Sequence, residues 1–376
     1  MTGRRIETDA VHIARPVDAA TGGVAPALVR ASTFLHDGQG AGIQGFGYTR
    51  YDNPNRQQVE RTVARLEGGH EAVAFASGNA ASFALLLSAA PGTRVIASRD
   101  SYRGTQMVLD TYGTRMGLEV VYADATDLDA MRAAITPEVS LVYVETPTNP
   151  LIRIADIAGI AAICREAGAL LAVDNTFATP ILQRPFEHGA DLVVHSATKF
   201  MGGHSDLLAG LVVAREAGAA LDAIRHWQKY GGAVPAPDVC WLLGRSLATL
   251  PVRMHQQCAN AMQVAEALAE HPAISEVLHA GLPSHPGHAL AMRQMSHGGA
   301  VFSFRVRAGR EAAIATTLAT QLCRCATSLG GVETLIEHRQ SQDGVDSNTP
   351  PDLIRISIGL EHPADLIADL DQALTR

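Results

Sequence analysis

Basic side chains are the minority in this chain. Lysine and arginine total 30 against 38 acidic residues, so the net charge is −8 and the pI is near 6.0. That balance excludes a broadly basic nucleic-acid-binding surface, although not a small local patch. Cysteines are few and odd in number, at 164, 240, 258, 323 and 325. Five thiols in 376 residues make no disulfide framework, and a reducing compartment suits them better. Cys323-x-Cys325 is too closely spaced for a C-x-x-C half-site, so both are read as small buried hydrophobes. No apolar run reaches ~18 residues, so no membrane span is expected. Residues 1–9 lack the apolar stretch of a secretory leader, and the cytoplasm is the expected location. Aromatics are only 5% and charged residues 18%, while 47% of the chain is apolar and 34 residues are glycine. Such a store of small apolar residues suits an α/β enzyme with close helix–sheet packing, not a disordered chain or an all-β sandwich.

Three stretches differ in texture. Residues 1–55 show little periodicity and crowd Gly38, Gly40, Gly42, Gly45 and Gly47 together. This extended arm is expected to lie on another surface, that of a neighbouring subunit. Residues 56–240 alternate helix and strand signals. Helical spacing marks 56–67, Ala80–Ala90, 127–135 and 154–167. Strands are expected at Ala72–Ala76, Arg94–Ser98, Val120–Ala123, Leu141–Glu145, Leu170–Asp174, Leu192–His195 and Leu208–Ala214. Several are nearly continuous apolar runs, as in a mainly parallel, doubly wound sheet covered by helices on both faces. Residues 241–376 read as a smaller α+β C-terminal domain. It opens on one long helical stretch over 240–270 and contains half-exposed strands at Val301–Val306 and Leu353–Ile358.

Ligands of open α/β sheets sit at the carboxyl ends of the strands, and three such ends are unusually polar. One strand delivers Asp174, followed by Asn175 and Thr176. The next delivers His195-Ser196-Ala-Thr198-Lys199, about one strand–helix–strand step later. A third ends in Ala76-Ser77-Gly78-Asn79, where a helix start offers free N–H groups to an anion. Singly, each has a plainer reading: a helix-capping Asp, a solvated Lys, an ordinary Ser-Gly turn. Together, in this order, they are the parts that hold pyridoxal 5′-phosphate. A lysine forms a Schiff base with the aldehyde, a carboxylate keeps the pyridine nitrogen protonated, and a helix end takes the phosphate.

At these residues the sequence resembles the cystathionine-metabolising, fold-type-I enzymes that depend on pyridoxal phosphate. The most specific stretch is Ser196-Ala-Thr198-Lys199-Phe-Met-Gly-Gly-His204-Ser205-Asp206, followed by Val173-Asp174-Asn-Thr176-Phe-Ala-Thr-Pro180. Supporting stretches are Tyr48-Thr-Arg50-Tyr-Asp-Asn53-Pro54, Glu145-Thr-Pro-Thr-Asn149-Pro150, Ser328-Leu-Gly-Gly-Val-Glu333 and Arg355-Ile-Ser-Ile-Gly-Leu-Glu361. The resemblance implies that Lys199 is the Schiff-base lysine and proton carrier, and that Asp174 pairs with the pyridine nitrogen beside Thr176. It implies that Gly78, the Asn79 backbone, Ser196 and Thr198 hold the phosphate. Tyr48 and Arg50 would reach that phosphate from a neighbouring subunit. Tyr102 would stack on the ring and help move protons, as Tyr48 would. Ser328 and Arg355 would bind the substrate α-carboxylate, with Asn149 near the ring hydroxyl. The implied activity is a carbon–sulfur lyase that eliminates a thiol from cystathionine- or cysteine-type amino acids. The alternative is γ-replacement on an activated homoserine. The implied assembly is a homo-oligomer, with a dimer as the minimal active unit and a tetramer of two such dimers. No metal, nucleic-acid or membrane partner is expected.

Some positions depart from the family pattern. Asn79 stands where relatives carry Met, and Arg103 where most carry a small residue. Arg103 either narrows the pocket or adds a cation for an anionic substrate, or it points to solvent. Gly47 and Thr327 stand where the γ-enzymes tend to have acids that hold a distal ammonium. Gly40-x-Gly42-x-x-Gly45 lacks the strand and helix that a dinucleotide site requires. His279, His285 and His288 read as a solvated loop.

Overall fold

The computed structural model describes residues 3–344 and 347–375; residues 1 and 2 of the N-terminal segment read above lie outside the described residues. Seven strands form the larger sheet: β1 (Glu71–Phe75), β2 (Arg94–Ser98), β3 (Glu119–Ala123), β4 (Val139–Glu145), β5 (Leu170–Asp174), β6 (Leu192–Ser196) and β7 (Gly210–Ala214). Their order is β1-β7-β6-β5-β4-β2-β3. Strands β2 to β6 run parallel, and β7 is antiparallel to both β6 and β1. This is the mainly parallel α/β sheet that the apolar runs predict.

Local chemistry sets where the covering helices begin and end. Asn53 caps α2 (Pro54–Glu67) by accepting the Asn55 N–H, and Pro54 needs no intrahelical donor there. Ser77 caps α3 (Gly78–Leu86) by accepting the Ala80 N–H. The larger sheet is further flanked by α4 (Arg103–Val108), α5 (Leu128–Ala134), α6 (Ile157–Ala167), α7 (Thr179–Leu182) and α8 (Ala219–Gly231). One face packs Phe75, Tyr143 and Val194 against Leu85 and Ile224. The other packs Val142 and Val173 against Met131 and Ile160. Each such buried side chain contributes roughly 1.5–3 kcal/mol of transfer free energy.

The smaller sheet contains β8 (Ile274–Leu278), β9 (Val301–Val306), β10 (Arg324–Cys325), β11 (Leu335–His338) and β12 (Leu353–Ser357), in the order β10-β11-β12-β9-β8. Here β9 and β12 are buried almost throughout, not half-exposed. Their alternation is real, but neither face meets solvent. Phe302, Phe304, Ile354 and Ile356 join the apolar core with α10 (Leu250–Ala269). Ser303, on the opposite face, donates from Oγ to the Pro150 carbonyl at 2.7 Å.

Other expectations change for local reasons. The arm contains a helix, α1 (Ile6–Ala14), whose Ala10 and Ala14 are buried in the core that includes α2. The stretch 240–270 is two helices, α9 (Pro237–Leu247) and α10. Pro251 stands at the start of the second, where its missing N–H is harmless. Four further helices, α11 (His288–Gln294), α12 (Arg310–Ala319), α13 (Arg339–Asp343) and α14 (Pro363–Leu374), complete the chain. Cys325 is exposed on an edge strand, whereas the other four cysteines are buried. The histidine loop is not solvated: His279 and His285 are buried and accept the Gly281 and Gly287 N–H groups at Nδ1. Burial brings the His279 pKa down to about 4.

Candidate active site

The polar strand ends converge on one cavity of about 560 Å³, lined by residues that include Gly78, Asn79, Tyr102, Asn149, Asp174, Thr176, Ser196, Thr198, Lys199, Ser328 and Arg355. Strand pairing brings the floor together. Asp174 lies opposite Glu145 on one side and Val194 on the other, so β4, β5 and β6 present their ends as a row. The Thr176 hydroxyl accepts the Ser196 N–H at 2.9 Å and ties the ends of β5 and β6. Asp174 accepts the Thr176 N–H on Oδ1 at 3.0 Å and the Tyr143 hydroxyl on Oδ2 at 2.7 Å.

At the start of α3, Ser77 takes the N–H groups of Ala80 and Ala81. Those of Gly78 and Asn79, just before them in the same first turn, have no partner within the helix. Gly78 is required by space: a Cβ there would come within 2.9 Å of Ser196 Cβ and Oγ. The Thr198 hydroxyl is held between the N–H and C=O of Ala209.

Lys199 follows β6 in a turn and donates from Nζ to Ser328 Oγ at 2.6 Å. Burial first, and the Arg355 charge second, bring its pKa from 10.5 down to about 8; Glu337 opposes the shift and Arg339 adds to it. Ser328 sits at φ +82°, a conformation that L residues rarely adopt. Beyond it, a Cβ on Gly330 would come within 2.5 Å of Phe200 N, so this loop lies against the backbone of the lysine turn.

Arg355 on β12 faces Glu337 on β11 across an antiparallel register. The guanidinium donates to Asn149 Oδ1 at 2.9 Å and to the Ser328 carbonyl at 2.6 Å, and it is ion-paired with Glu337. Arg339 reaches the same Glu337 oxygen at 2.7 Å and also pairs with Asp343. Arg355 is therefore already engaged on both terminal nitrogens, with some of its N–H groups left over. Asn149 serves it as an acceptor.

Tyr102 lines the cavity, and its backbone N–H donates to Glu145 Oε2 at 2.6 Å. Glu145 also accepts the Asn149 N–H at 2.9 Å. This carboxyl is held well above its usual pKa, by burial and then by the Asp174 charge, against the pull of the two N–H donors. Tyr48 and Arg50 do not line the cavity of their own chain. Arg50 donates to the Lys229 carbonyl at 2.6 Å and lies over the Tyr51 ring at 4.6 Å. The Tyr48 side is open, with 44% of the residue exposed.

Sequence reasoning gave no role to Glu145, which it named only within a motif, and did not single out Tyr143, Glu337 or Arg339. Tyr143 and Glu145 carried a signal: polar residues ending β4, the strand next to Asp174. A count also carried one. The chain has only two lysines, Lys199 and Lys229, and only Lys199 follows a strand of the larger sheet.

An amine and a carboxylate on neighbouring strand ends, with a helix start cleared of a Cβ beside Ser196, fit pyridoxal phosphate. The Cys/Met metabolism PLP-dependent enzyme family matches residues 7–375. A cystathionine gamma-synthase of Mycobacterium tuberculosis is 46% identical over 374 residues, 98% of this chain and 96% of that protein. A cystathionine beta-lyase of Coxiella burnetii is 38% identical over 383 residues, covering 98% and 97%. The solved structure of cystathionine gamma synthase from Xanthomonas oryzae, in complex with aminoacrylate and cysteine, superposes with a TM-score of 0.95 at 36% identity, over all of this chain and 98% of that one. The chain belongs to the Cys/Met metabolism family of pyridoxal-phosphate-dependent enzymes, of the cystathionine gamma-synthase or beta-lyase type.

Proposed function

We propose that this enzyme performs γ-replacement, joining a thiol to an O-acyl-homoserine whose acyl chain ends in a carboxylate. One observation carries the choice. An outer cavity of about 420 Å³ shares Arg103, Asn149, Arg339 and Asp343 with the main one. It holds Arg99 and Arg103, neither paired with a carboxylate among the described residues. Among the described residues its two acids are spent: Asp100 is paired with Arg153, and Asp343 with Arg339. Thr327 lines the main cavity and supplies no charge for a distal ammonium. An anionic tail without an ammonium suits such a vestibule.

Bound pyridoxal phosphate supplies an electrophilic aldehyde and an electron sink for the substrate α-carbon. The chain's residues do the rest. Gly78, the Asn79 N–H, Ser196 and Thr198 hold the phosphate; Asp174 holds the ring nitrogen, and Tyr102 covers the ring. Arg355 orients the α-carboxylate through the donors that Glu337 and Ser328 leave over. Lys199 Nζ takes the α-proton, and a pKa of about 8 keeps a usable fraction neutral near pH 7–8. Ser328 Oγ aims that amine. Tyr48 and Arg50 complete the phosphate site of a second copy, which makes the minimal unit a dimer.

Elimination from cystathionine is the second reading, favoured by the identity to the beta-lyase. The test supplies cystathionine alone, then O-succinyl- or O-acetyl-homoserine with cysteine. Cystathionine formation, faster from the succinyl ester, is expected. Arg103→Met should raise KM for that ester about tenfold, ~1.4 kcal/mol, and spare the acetyl ester. Rapid release of pyruvate with homocysteine from cystathionine would establish β-elimination instead; 2-oxobutyrate with cysteine would establish γ-elimination.

A further inference from the structure

Asp174 does not lie alone. Glu145 is its register partner on β4, and the two carboxyls end adjacent parallel strands at the cavity floor, Glu145 buried and Asp174 half-buried. Two neighbouring carboxyls of which one is buried do not both ionise readily. For the ring nitrogen to stay protonated, the charge must rest on Asp174. Backbone donors do not favour that outcome, since Glu145 receives two N–H groups and Asp174 one.

Tyr143 supplies the difference. It lies two residues before Glu145 on the same face of β4, is 2% exposed, and directs its hydroxyl at Asp174 Oδ2 at 2.7 Å. We propose that Tyr143 is a positioning residue that keeps the negative charge of the carboxyl pair on Asp174 and fixes that carboxylate's plane beneath the cofactor ring. A hydrogen bond to the charged form favours that form. Burial, with the charges of Asp174 and Glu145, holds the phenol itself protonated, so it remains a donor. The other groups facing the pair are the Asp100 carboxylate, whose charge also disfavours a charged Glu145, the Thr105 hydroxyl from α4, which bonds to the Tyr143 oxygen, and Thr176 from the end of β5. No step of catalysis passes through Tyr143, and the role is the same for elimination and for replacement.

The test uses the holoenzyme loaded with pyridoxal phosphate labelled with ¹⁵N in the ring, whose chemical shift reports nitrogen protonation directly. In the parent the nitrogen is expected to stay protonated from about pH 6 to about pH 9. In Tyr143→Phe it should lose its proton about one pH unit lower than in the parent, a tenfold change. The kcat should fall about tenfold with KM little changed, because Arg355 is untouched. Adding Glu145→Gln to Tyr143→Phe removes the competing site for the charge and should restore the protonated signal. A Tyr143→Phe enzyme whose nitrogen titrates like the parent's would overturn the proposal. So would a double variant no better than the single one, which would assign Tyr143 to packing alone.

Discussion

The carboxylate that the site gives to two arginines offers the most direct check on its electrostatics. Glu337 Oε1 receives both Arg355 and Arg339, while Oε2 is buried without a partner. Lys199 titrates at about 8 because burial and the Arg355 charge outweigh Glu337. Glu337→Gln keeps an oxygen for the two guanidiniums and deletes the charge. With less negative charge nearby, the lysine should hold its proton more weakly. We expect its pKa to fall by about one unit, ~1.4 kcal/mol. Breaking a buried pair costs about 3–5 kcal/mol when the partner is lost outright, and the retained oxygen keeps this cost near the lower figure. The fold should survive. Because the chain contains two lysines, apoprotein grown on ε-¹³C-lysine gives two resonances to titrate, and Lys229→Arg assigns them. Arg339→Met is the control of opposite sign, since removing a cation and freeing Glu337 both raise the Lys199 pKa. If Glu337→Gln left the lysine at about 8 or moved it upward, the ion cluster would have no part in setting it, and burial alone would remain.

Three further outcomes are expected. Gly78→Ala should weaken cofactor binding at least tenfold, read by equilibrium dialysis, because its Cβ meets Ser196; unfolding of the apoprotein should show an overpacking cost of about 1–3 kcal/mol. In the apoprotein, the folded pKa of Lys199 lies below its unfolded value, so its contribution to stability rises as pH goes from about 8 to 10.5 and is lost on the way down. The buried thiols Cys164, Cys240 and Cys258, raised to about 12 by burial, act in the opposite sense above pH 9. Denaturant titrations of the parent minus Lys199→Met should isolate a difference of about 3 kcal/mol across the lysine window. Finally, Arg50→Ala and Lys199→Ala should each be inactive, yet their mixture should regain about one quarter of parent activity if Arg50 serves a partner's site. A mixture as dead as its components would place Arg50 outside the site.

The positions that the sequence places at strand ends, and the structure gathers in one cavity, share a physical cause. Asp174, Ser196 and Lys199 end runs so apolar that a buried parallel strand is the economical reading, and such strands deliver their last residues to a common edge. Gly78 was legible for the same reason, as a glycine at a strand-to-helix turn. What escaped was set by tertiary placement. Ser303 and Arg355 alternate with Phe and Ile on β9 and β12, which from sequence signals a solvent face; in the structure Ser303 is buried against the Pro150 carbonyl and Arg355 lines the cavity. Glu337 lies 18 residues from Arg355, and only the antiparallel pairing of β11 with β12 joins them. Arm helix α1 was obscured by its neighbours, since only nine helical residues stand before a long irregular segment.

The pairing of charges around the cavity explains how an acidic chain builds a site for anions. Of its carboxyls, Glu337 is balanced by two guanidiniums, and Glu145 is held toward its neutral form. Asp343 is paired with Arg339, and Asp174 accepts the Tyr143 hydroxyl and the Thr176 N–H. The cations are not cancelled to the same degree among the described residues: Lys199 faces a hydroxyl, and Arg103 faces Gln106. The cavity is thus positive where the chain is negative, because local pairing and not net charge sets the field that a ligand meets. Burial first, and then the same field through Arg355, keeps Lys199 short of protons. A cavity arranged to attract anions therefore also favours a neutral amine at Lys199, and the strength of that coupling is what the Glu337 and Arg339 variants measure.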